Sequence, residues 1–384
     1  MGNAVPFLRR VQMTGYKSIA SCDVTFTRLL VLLGPNGAGK SNFLDALQFV
    51  AQVLGPSTPA DVVAARGGLD EVLRRAPQPT DQFSIHLEFT VDGADGPQPA
   101  EYGFTIGRDS TGRRPLVIKE EHCVISPGTE QEAGFRVVAG MIVNEGGIER
   151  DQLYLPLAAA RSEFSEVHRS LRSMLFHHLD TDQMRQIEPD RRGTQLGYSG
   201  ERLGSVLGTL AERHPVFKQR IDDYLRAIVP TVAGIDQQIL GDYSTVELRT
   251  PETARPFGPK LISEGTLHAA GLLAALFQPV VLEGKASLVA IEEPETALHP
   301  AATGALFDAL TEASERVQVI VTTQSADLLD HDDFDPSWVR IATMKDGITV
   351  IGEIDPMVRG VLDDKLATLG ELMRSRQLRP KGSE

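Results

Sequence analysis

The stretch from Leu29 to Leu54 constrains this chain more than any other. Leu29-Leu30-Val31-Leu32-Leu33 is a continuous apolar run, the pattern of a strand buried on both faces. It leads straight into Gly34-Pro35-Asn36-Gly37-Ala38-Gly39-Lys40-Ser41, which fits G-x-x-x-x-G-K-[ST]. From Ser41 the period becomes helical, with Leu44, Leu47, Val50 and Leu54 near one stripe, and Gly55-Pro56 ends it. Strand, glycine loop and helix together form a phosphate cradle. The glycines let the backbone of Asn36, Gly37, Ala38 and Gly39 curl, so that successive N–H groups face phosphate oxygens. The helix N-terminus adds positive potential. In such a loop Lys40 reaches the β- and γ-phosphates, the Ser41 hydroxyl ligates Mg2+, and Asn42 follows on the first turn.

A second element completes that chemistry. Ser287-Leu288-Val289-Ala290-Ile291 is an apolar strand that ends in Glu292-Glu293-Pro294-Glu295. A phosphate-loop protein needs a carboxylate at such a strand end to hold Mg2+ through water. Glu292 takes that place, where Asp is more usual, and Glu293 is placed to polarise an attacking water. A solvated acidic turn is the plainer reading of any isolated carboxylate pair. The joint occurrence of strand, pair and phosphate loop argues against it.

The rest of the chain reads as one α/β head, residues 1–384, with two additions. Residues 1–81 open it, with strands over Phe7–Met13 and Ile19–Phe26 joined at Gly15-Tyr16-Lys17-Ser18. Residues 82–150 alternate apolar and polar positions, with turn signals at Asp95-Gly96 and Asp109–Gly112, and predict an antiparallel β subdomain. Its strands fall at Phe83–Val91, Tyr102–Ile106, Leu116–Ile125 and Phe135–Val143. Residues 151–262 predict a helical lobe, with stripes at Leu203, Val206, Leu207 and Leu210 and over Val216–Ile228, then a strand over Gln237–Leu248. Residues 263–352 alternate helix and strand, the βαβ logic of a parallel sheet. Residues 353–384 form a helical tail.

Composition bounds the function classes. The formal charge is −14, which excludes a protein that coats nucleic acid through net charge; such contact needs a local basic patch. The only two cysteines, Cys22 and Cys123, make neither a disulfide framework nor a zinc cluster. Apolar stretches such as Ala269–Leu282 are short for a bilayer span. Met1-Gly2-Asn3-Ala4 lacks the basic and apolar regions of a signal peptide, and Pro6 replaces the Ser or Thr of a myristoylation motif. The expectation is a cytoplasmic chain with no membrane partner.

These motifs, with three others, resemble the ABC-type ATPases of the RecF, SMC and overcoming-lysogenization-defect class. Gly15-Tyr16-Lys17-Ser18 looks like that class's N-[FY]-[KR]-S turn. Leu261-Ile262-Ser263-Glu264-Gly265-Thr266-Leu267 looks like its LSDGT signature. Glu292-Glu293-Pro294-Glu295-Thr296-Ala297-Leu298-His299-Pro300 matches its [DE]EPExxLHP run, and Val317 to Ser325 resembles its QvivTTHS strand. Likeness also extends to Arg66-Gly67-Gly68-Leu69-Asp70, to Gly200–Leu210 and to Leu369-Gly370-Glu371-Leu372, a spread similar to the stand-alone bacterial branch of AAA-family ATPases.

The resemblance implies a P-loop NTPase fold, an ABC-type ATPase head with antiparallel β subdomain and helical lobe. It implies ATP and Mg2+ as cofactors, a homodimer or higher homo-oligomer with ATP sandwiched between heads, and a separate effector such as a nuclease in anti-phage defence or DNA repair. Lys17 becomes a candidate nucleotide contact. Ser263, Glu264 and Gly265 become candidates to cap the γ-phosphate on the opposing subunit. Glu293 and Gln324 become the hydrolytic pair, and Ser41 and Glu292 the metal ligands.

Two departures qualify this. Gln324 stands where the class has a switch histidine; a neutral amide can orient water but cannot act as a charged switch. Only a short tail follows Ser325, where nuclease members of the class carry a Toprim domain. Gln324 and Glu292 motivate the alternative, an ATP-gated scaffold with little hydrolysis. A membrane-transporter ATPase is the weakest reading, because the signature lacks that group's second glycine and glutamine.

Other clusters carry bland readings. Asp327, Asp330, Asp332, Asp333 and Asp335 with His331 read as a polar loop and not a metal site. His168, His177 and His178 read as surface or half-buried helical residues. Arg113-Arg114, the group Arg185, Arg191 and Arg192, and the tail Arg374, Arg376, Arg379 and Lys381 read as solvated faces, and are the places where nucleic acid could touch. Gln183, Gln186 and Gln195 all remain open as the Q-loop glutamine.

Overall fold

A computed structural model describes residues 6–381 except 76, 94–95, 130–131, 143–146, 191–192 and 194. The chain divides into two compact units. Unit 1 comprises residues 1–174, 337–360 and 378–384, and unit 2 comprises residues 175–336 and 361–377.

Unit 1 opens with the hairpin β1 (Leu8–Tyr16) and β2 (Ile19–Thr25), turning at Lys17-Ser18. Strand β3 (Leu29–Leu33) is buried at every position, as its unbroken apolar run requires. Helix α1 (Lys40–Val53) follows the glycine loop, and the short helices α2 (Pro59–Ala64) and α3 (Leu69–Val72) lead on. Four further strands come next: β4 (Gln82–Gly93), β5 (Gly96–Gly107), β6 (Val117–Ile125) and β7 (Ala133–Val138). The two-residue β8 (Met141–Ile142) closes an antiparallel sheet of order β2-β1-β4-β5-β6-β7-β8. The last expected strand is thus broken by the turn at Ala139-Gly140, and its end at residue 143 lies outside the described residues, as does Asp95. Alternation gives the sheet one polar face and one apolar face. Phe83 and Phe104 on the apolar face meet Phe49 of α1 and Tyr16 of β1 in edge-on and tilted ring contacts 5.3–6.4 Å apart. The phosphate-loop helix is thereby anchored on the sheet. Helices α4 (Leu155–Ala158) and α5 (Ser162–Arg172) complete this stretch.

Unit 2 takes over at β9 (Met174–His177), a strand where the sequence pattern had suggested helix. The short α6 (Thr181–Met184) and β10 (Glu188–Pro189) precede α7 (Leu203–Arg213) and α8 (Pro215–Ile228). The single strand expected over Gln237–Leu248 is a hairpin, β11 (Gly234–Leu240) and β12 (Tyr243–Thr250), because Gly241 takes φ +64° and reverses the chain. Strand β13 (Thr253–Phe257) adds to β12. A closed charge ring ties α8 to this hairpin: Lys218 lies 2.8 Å from Asp222 and 2.9 Å from Asp236, and Arg249 pairs with both acids. Next come α9 (Glu264–Phe277) and the short α10 (Pro279–Leu282). Counted together, the 19 residues Glu264–Leu282 are long and apolar enough to cross a membrane, longer than the sequence expectation allowed. However, 83% of that window is buried inside the protein, and every α9 residue from Thr266 onward is buried, as in a core helix.

Strand β14 (Leu288–Glu292), helix α11 (Thr303–Ser314) and strand β15 (Gln318–Thr323) form the expected βαβ unit, with β14 and β15 parallel. The chain then returns to unit 1 as β16 (Val339–Lys345), parallel to β3, and β17 (Ile348–Gly352), antiparallel to β16. Helices α12 (Pro356–Asp363) and α13 (Leu369–Arg374) form the tail. The fold is that of a P-loop ATPase head.

Candidate functional site

The candidate residues fall into two groups, one in each unit. In unit 1, β3 delivers Gly34 to the start of the loop. Gly37 and Gly39 take φ +77° and +94°, a left-handed conformation that L side chains rarely adopt. Gly39 has a second constraint: a Cβ there would run into the side chain of Thr349 on β17. Gly39 is the N-cap of α1, which has no side-chain cap and no carboxylate in its first turn. By contrast α2 and α13 carry full capping boxes, and α9 is capped by Ser263. Lys40 is 5% exposed and folds across the loop, its Nζ donating to the Gly34 carbonyl at 2.7 Å and the Pro35 carbonyl at 3.2 Å. Asn36, Gly37 and Ser41 are exposed, Ala38 is buried, and Asn42 donates to Ser18 Oγ at 2.6 Å.

Lys17, the other candidate here, lies beside α1 in an ion pair with Asp45 at 2.7 Å. Asp45 also accepts from Tyr16 Oη at 2.6 Å and pairs with Arg66 at 2.9 Å. Burial works to raise the Asp45 carboxyl, yet Lys17, Tyr16 and Arg66 together hold it below its ordinary value. Lys17, Asn42, Arg66, Glu71, Leu73 and Arg75 line a cleft of about 400 Å3. Arg66 is a residue that sequence reasoning did not single out as functional; its signal was the Arg-Gly-Gly run that follows α2.

In unit 2, Glu292 ends β14, and Tyr198 Oη lies 3.5 Å from its Oε1. Tyr198 carried no motif signal, since it comes from a loop far off in sequence. Glu293 takes φ +44°, a strained value for a residue with a Cβ, and its N–H donates to the Thr322 carbonyl at 2.9 Å. Gln324 leaves the end of β15 exposed, with Nε2 3.4 Å from Glu293 Oε2. The structure therefore brings Glu293 and Gln324 together.

The signature stands on α9. Ser263 Oγ accepts the Thr266 N–H at 3.3 Å and lies 2.7 Å from Thr266 Oγ1. Ser263 and Glu264 are exposed. Gly265 packs so closely that a Cβ would sit 2.5 Å from the Ala297 carbonyl oxygen, so this glycine seats α9 on the turn after the acidic strand. Arg185 Nη1 donates to the Pro259 and Ile262 carbonyls, both at 2.7 Å, and so pins the loop that leads into the signature. Of the three open glutamines, Gln183, Gln186 and Gln195 are all exposed, and Gln186 bonds the Asp182 carbonyl.

Several bland readings change in detail. Arg185 is half-buried and bonded, not a solvated face, while Arg191 and Arg192 lie outside the described residues. Arg114 pairs with Glu149 and Asp151, and Arg374 pairs with Asp327 at 2.8 Å and Asp330 at 2.7 Å. Arg374 thus ties the basic tail to two carboxylates of the acidic loop. Among the described residues, no three His, Cys, Asp or Glu side chains cluster as metal ligands. His177 is buried in β9, where burial pulls it down to about 4 and Nδ1 lies 3.0 Å from the Gly197 carbonyl. The expectation of a surface or half-buried helical residue is corrected there, because the segment is a strand.

Residues 29–330 match a family described as "AAA domain, putative AbiEii toxin, Type IV TA system". The chain belongs to this family. Among relatives, it is 29% identical over 89 residues to the DNA replication and repair protein RecF of Arthrobacter sp. (strain FB24), covering 23% of this chain and 22% of that one. It is 26% identical over 232 residues to the chromosome partition protein Smc of Coxiella burnetii, covering 56% and 19%. These matches span about a fifth of each relative's length. Among solved structures, the Smc head bound to the C-terminal winged-helix domain of ScpA matches with a TM-score of 0.54 at 15% identity, over 90% of this chain and 97% of that one. A Smc head with an extended coiled coil, bound to the C-terminal domain of ScpA from Pyrococcus furiosus, gives 0.53 at 11% identity, over 94% and 100%. In fold and motifs, this AAA-family chain is similar to the RecF/SMC class of ABC-type ATPases.

Proposed function

We propose that this AAA-family chain binds ATP with Mg2+ and hydrolyses it, and that ATP drives two copies together head to tail in the cytoplasm. The observation that carries this is the phosphate loop itself: α1 begins on a left-handed Gly39 with no cap of its own, and Lys40 lies folded across the loop, where an anion can displace its carbonyl partners. Asn36 to Gly39 would wrap the phosphates with backbone N–H groups, and Lys40 would swing to the β- and γ-phosphates. Asn42 and Lys17 flank the nucleotide.

The donor set fits Mg2+. One hydroxyl (Ser41) and one carboxylate (Glu292) suit a cation that keeps several waters and shares phosphate oxygens. When bound, Mg2+ neutralises charge on those oxygens. Glu293 orients the attacking water, with Gln324 beside it. Ser263, Glu264 and Gly265 from a second copy close over the γ-phosphate, and Ser263 exchanges its bond to Thr266 for one to phosphate. Dimer closure is the mechanical output, a two-state element biased by ATP. The likeness to RecF, a DNA replication and repair protein, supports a role in DNA repair; anti-phage defence is the other process we propose, in either case with a separate effector such as a nuclease. The exposed basic tail residues Arg376, Arg379 and Lys381 are the first places to test nucleic-acid contact.

A second reading rests on Gln324. An uncharged amide beside Glu293 suits an ATP-gated scaffold with slow hydrolysis. Light scattering with and without ATP–Mg2+, together with phosphate release, separates the two. The expectation is ATP-dependent dimers in the wild type, more persistent dimers with little turnover in Glu293→Gln, and at least a tenfold loss of ATP affinity in Lys40→Ala, about the worth of a charged hydrogen bond. If Glu293→Gln leaves turnover and dimer lifetime unchanged, the scaffold reading replaces the first. A wild type that stays monomeric at saturating ATP sinks the autonomous dimer.

A further inference from the structure

We propose that Glu295 is a positioning residue for hydrolysis, holding the end of β15 so that Gln324 faces Glu293. The inference rests on the ATPase reading above and adds a residue that neither the metal nor the water role requires.

Two strand-end contacts converge on this side chain, and a third is relayed through Thr323. Thr323 Oγ1 donates to Glu295 Oε1, and the Gln324 backbone N–H approaches the same oxygen at 3.4 Å. The Ser325 N–H in turn donates to Thr323 Oγ1 at 2.9 Å, so the hydroxyl that Glu295 holds also fixes the residue after Gln324. On the other side, the Glu293 N–H is tied to the Thr322 carbonyl at 2.9 Å. Glu295 therefore closes a short loop of bonds around the two hydrolytic candidates: Glu293 to Thr322 along the backbone, and Glu295 to Thr323 and Gln324 through its side chain. Within that loop Gln324 Nε2 and Glu293 Oε2 sit 3.4 Å apart, the long limit of a hydrogen bond.

The other carboxyl oxygen is telling. Glu295 Oε2 is buried and has no hydrogen-bond partner. A side chain kept only for packing has no reason to bury a polar atom unpaired. Burial, and then the neighbouring charge of Glu293, push the Glu295 carboxyl upward, against the bonds from Thr323 and Gln324. A fixed amide at Gln324 needs such a brace more than a charged side chain would, because it has only its own hydrogen bonds to orient it.

The test measures kcat and KM for ATP, with nucleotide binding and thermal melting as checks on folding, in wild type, Glu295→Ala, Glu295→Gln, Thr323→Val and Lys40→Ala. Glu295→Ala is expected to lower kcat by about tenfold to a hundredfold, since small misplacements of reacting groups cost that much, with KM within about threefold of wild type. Glu295→Gln keeps the accepting oxygen and is expected to restore kcat to within about threefold. Thr323→Val is expected to resemble Glu295→Ala, and combining the two should add little. An unchanged kcat in Glu295→Ala overturns the inference while an inactive Lys40→Ala upholds the ATPase reading. A kcat loss that Gln fails to rescue also overturns it, because the carboxylate's charge or proton, and not its position, would then matter. A wild type without turnover overturns both.

Discussion

Glu121 is buried among apolar residues on β6, yet it is well supplied with donors. Its carboxyl accepts from Tyr102 Oη at 3.0 Å, from the Leu155 N–H at 2.9 Å and from the Tyr154 N–H, and so caps the start of α4. Burial nevertheless pushes it up from 4.5 to about 7. Between those values the folded chain holds a proton that the unfolded chain has released. The associated stability is therefore full below about pH 4.5 and is lost as pH rises through about 7, a swing on the order of 3 kcal/mol. Glu121→Gln cannot titrate. Urea unfolding from pH 5 to 8 should show a flatter stability profile in the variant than in the wild type; parallel profiles would show that Glu121 titrates alike in both states. His177 works in the opposite direction, since its folded value is depressed and its stabilising effect fades as pH falls through the range 6.5 to about 4. The comparison with Glu121→Gln isolates the carboxyl from it.

At the scale of elements, the signature helix and the acidic strand are built as one piece. Gly265 of α9 lies against the Ala297 carbonyl, and a Cβ there would sit 2.5 Å from that oxygen. A shift of α9 must therefore move the turn that carries Glu293 and Glu295. Arg185 governs the other side of the signature, through the Pro259 and Ile262 carbonyls. Arg185→Ala removes two charge-assisted bonds to a loop whose Leu261 is 73% exposed. Faster amide hydrogen exchange over residues 258–266, with weaker ATP-driven association and unchanged ATP affinity per subunit, is the expected result. Unchanged exchange there would mean that the turn at Pro259–Leu261 holds the loop without Arg185. The three residues had no common sequence signal, because Arg185 lies some 75 positions from the carbonyls it holds. Hairpin β11–β12 was hidden for a nearer reason: only Gly241-Asp242 interrupts two apolar-rich runs, and its positive φ converts one apparent strand into two.

For the whole molecule, charge is organised by pairing across long sequence distances. The acidic loop after β15 and the tail helix α13 are joined by ion pairs from Arg374 to Asp327 and Asp330, while Thr368 Oγ1 donates to Asp330 at 2.9 Å. Arg374→Glu would place three acids together at the point where the tail docks. Global stability should change little, as for exposed ion pairs. Limited proteolysis within residues 364–377 should nevertheless accelerate clearly. Equal cleavage rates would mean that the apolar contacts of Leu369 and Leu372, both 4% exposed, hold the tail without the ion pair.

What the sequence determined by itself was the machinery whose parts lie close together along the chain. The strand-loop-helix at Leu29–Val53, the acidic strand ending at Glu292 and the βαβ unit from Leu288 to Thr323 were legible because their hydrogen bonds and hydrophobic periods are local. Glycine positions with forced conformations, Gly37 and Gly39 above all, were legible for the same reason. Tertiary structure alone decided which side chains tie separate elements together. Asp45 gathering Lys17, Tyr16 and Arg66, Glu295 holding Thr323, Arg185 holding the signature loop and Glu121 capping α4 are contacts between elements. Each depends on how side chains from separate elements converge, and a one-dimensional pattern carries no record of that convergence.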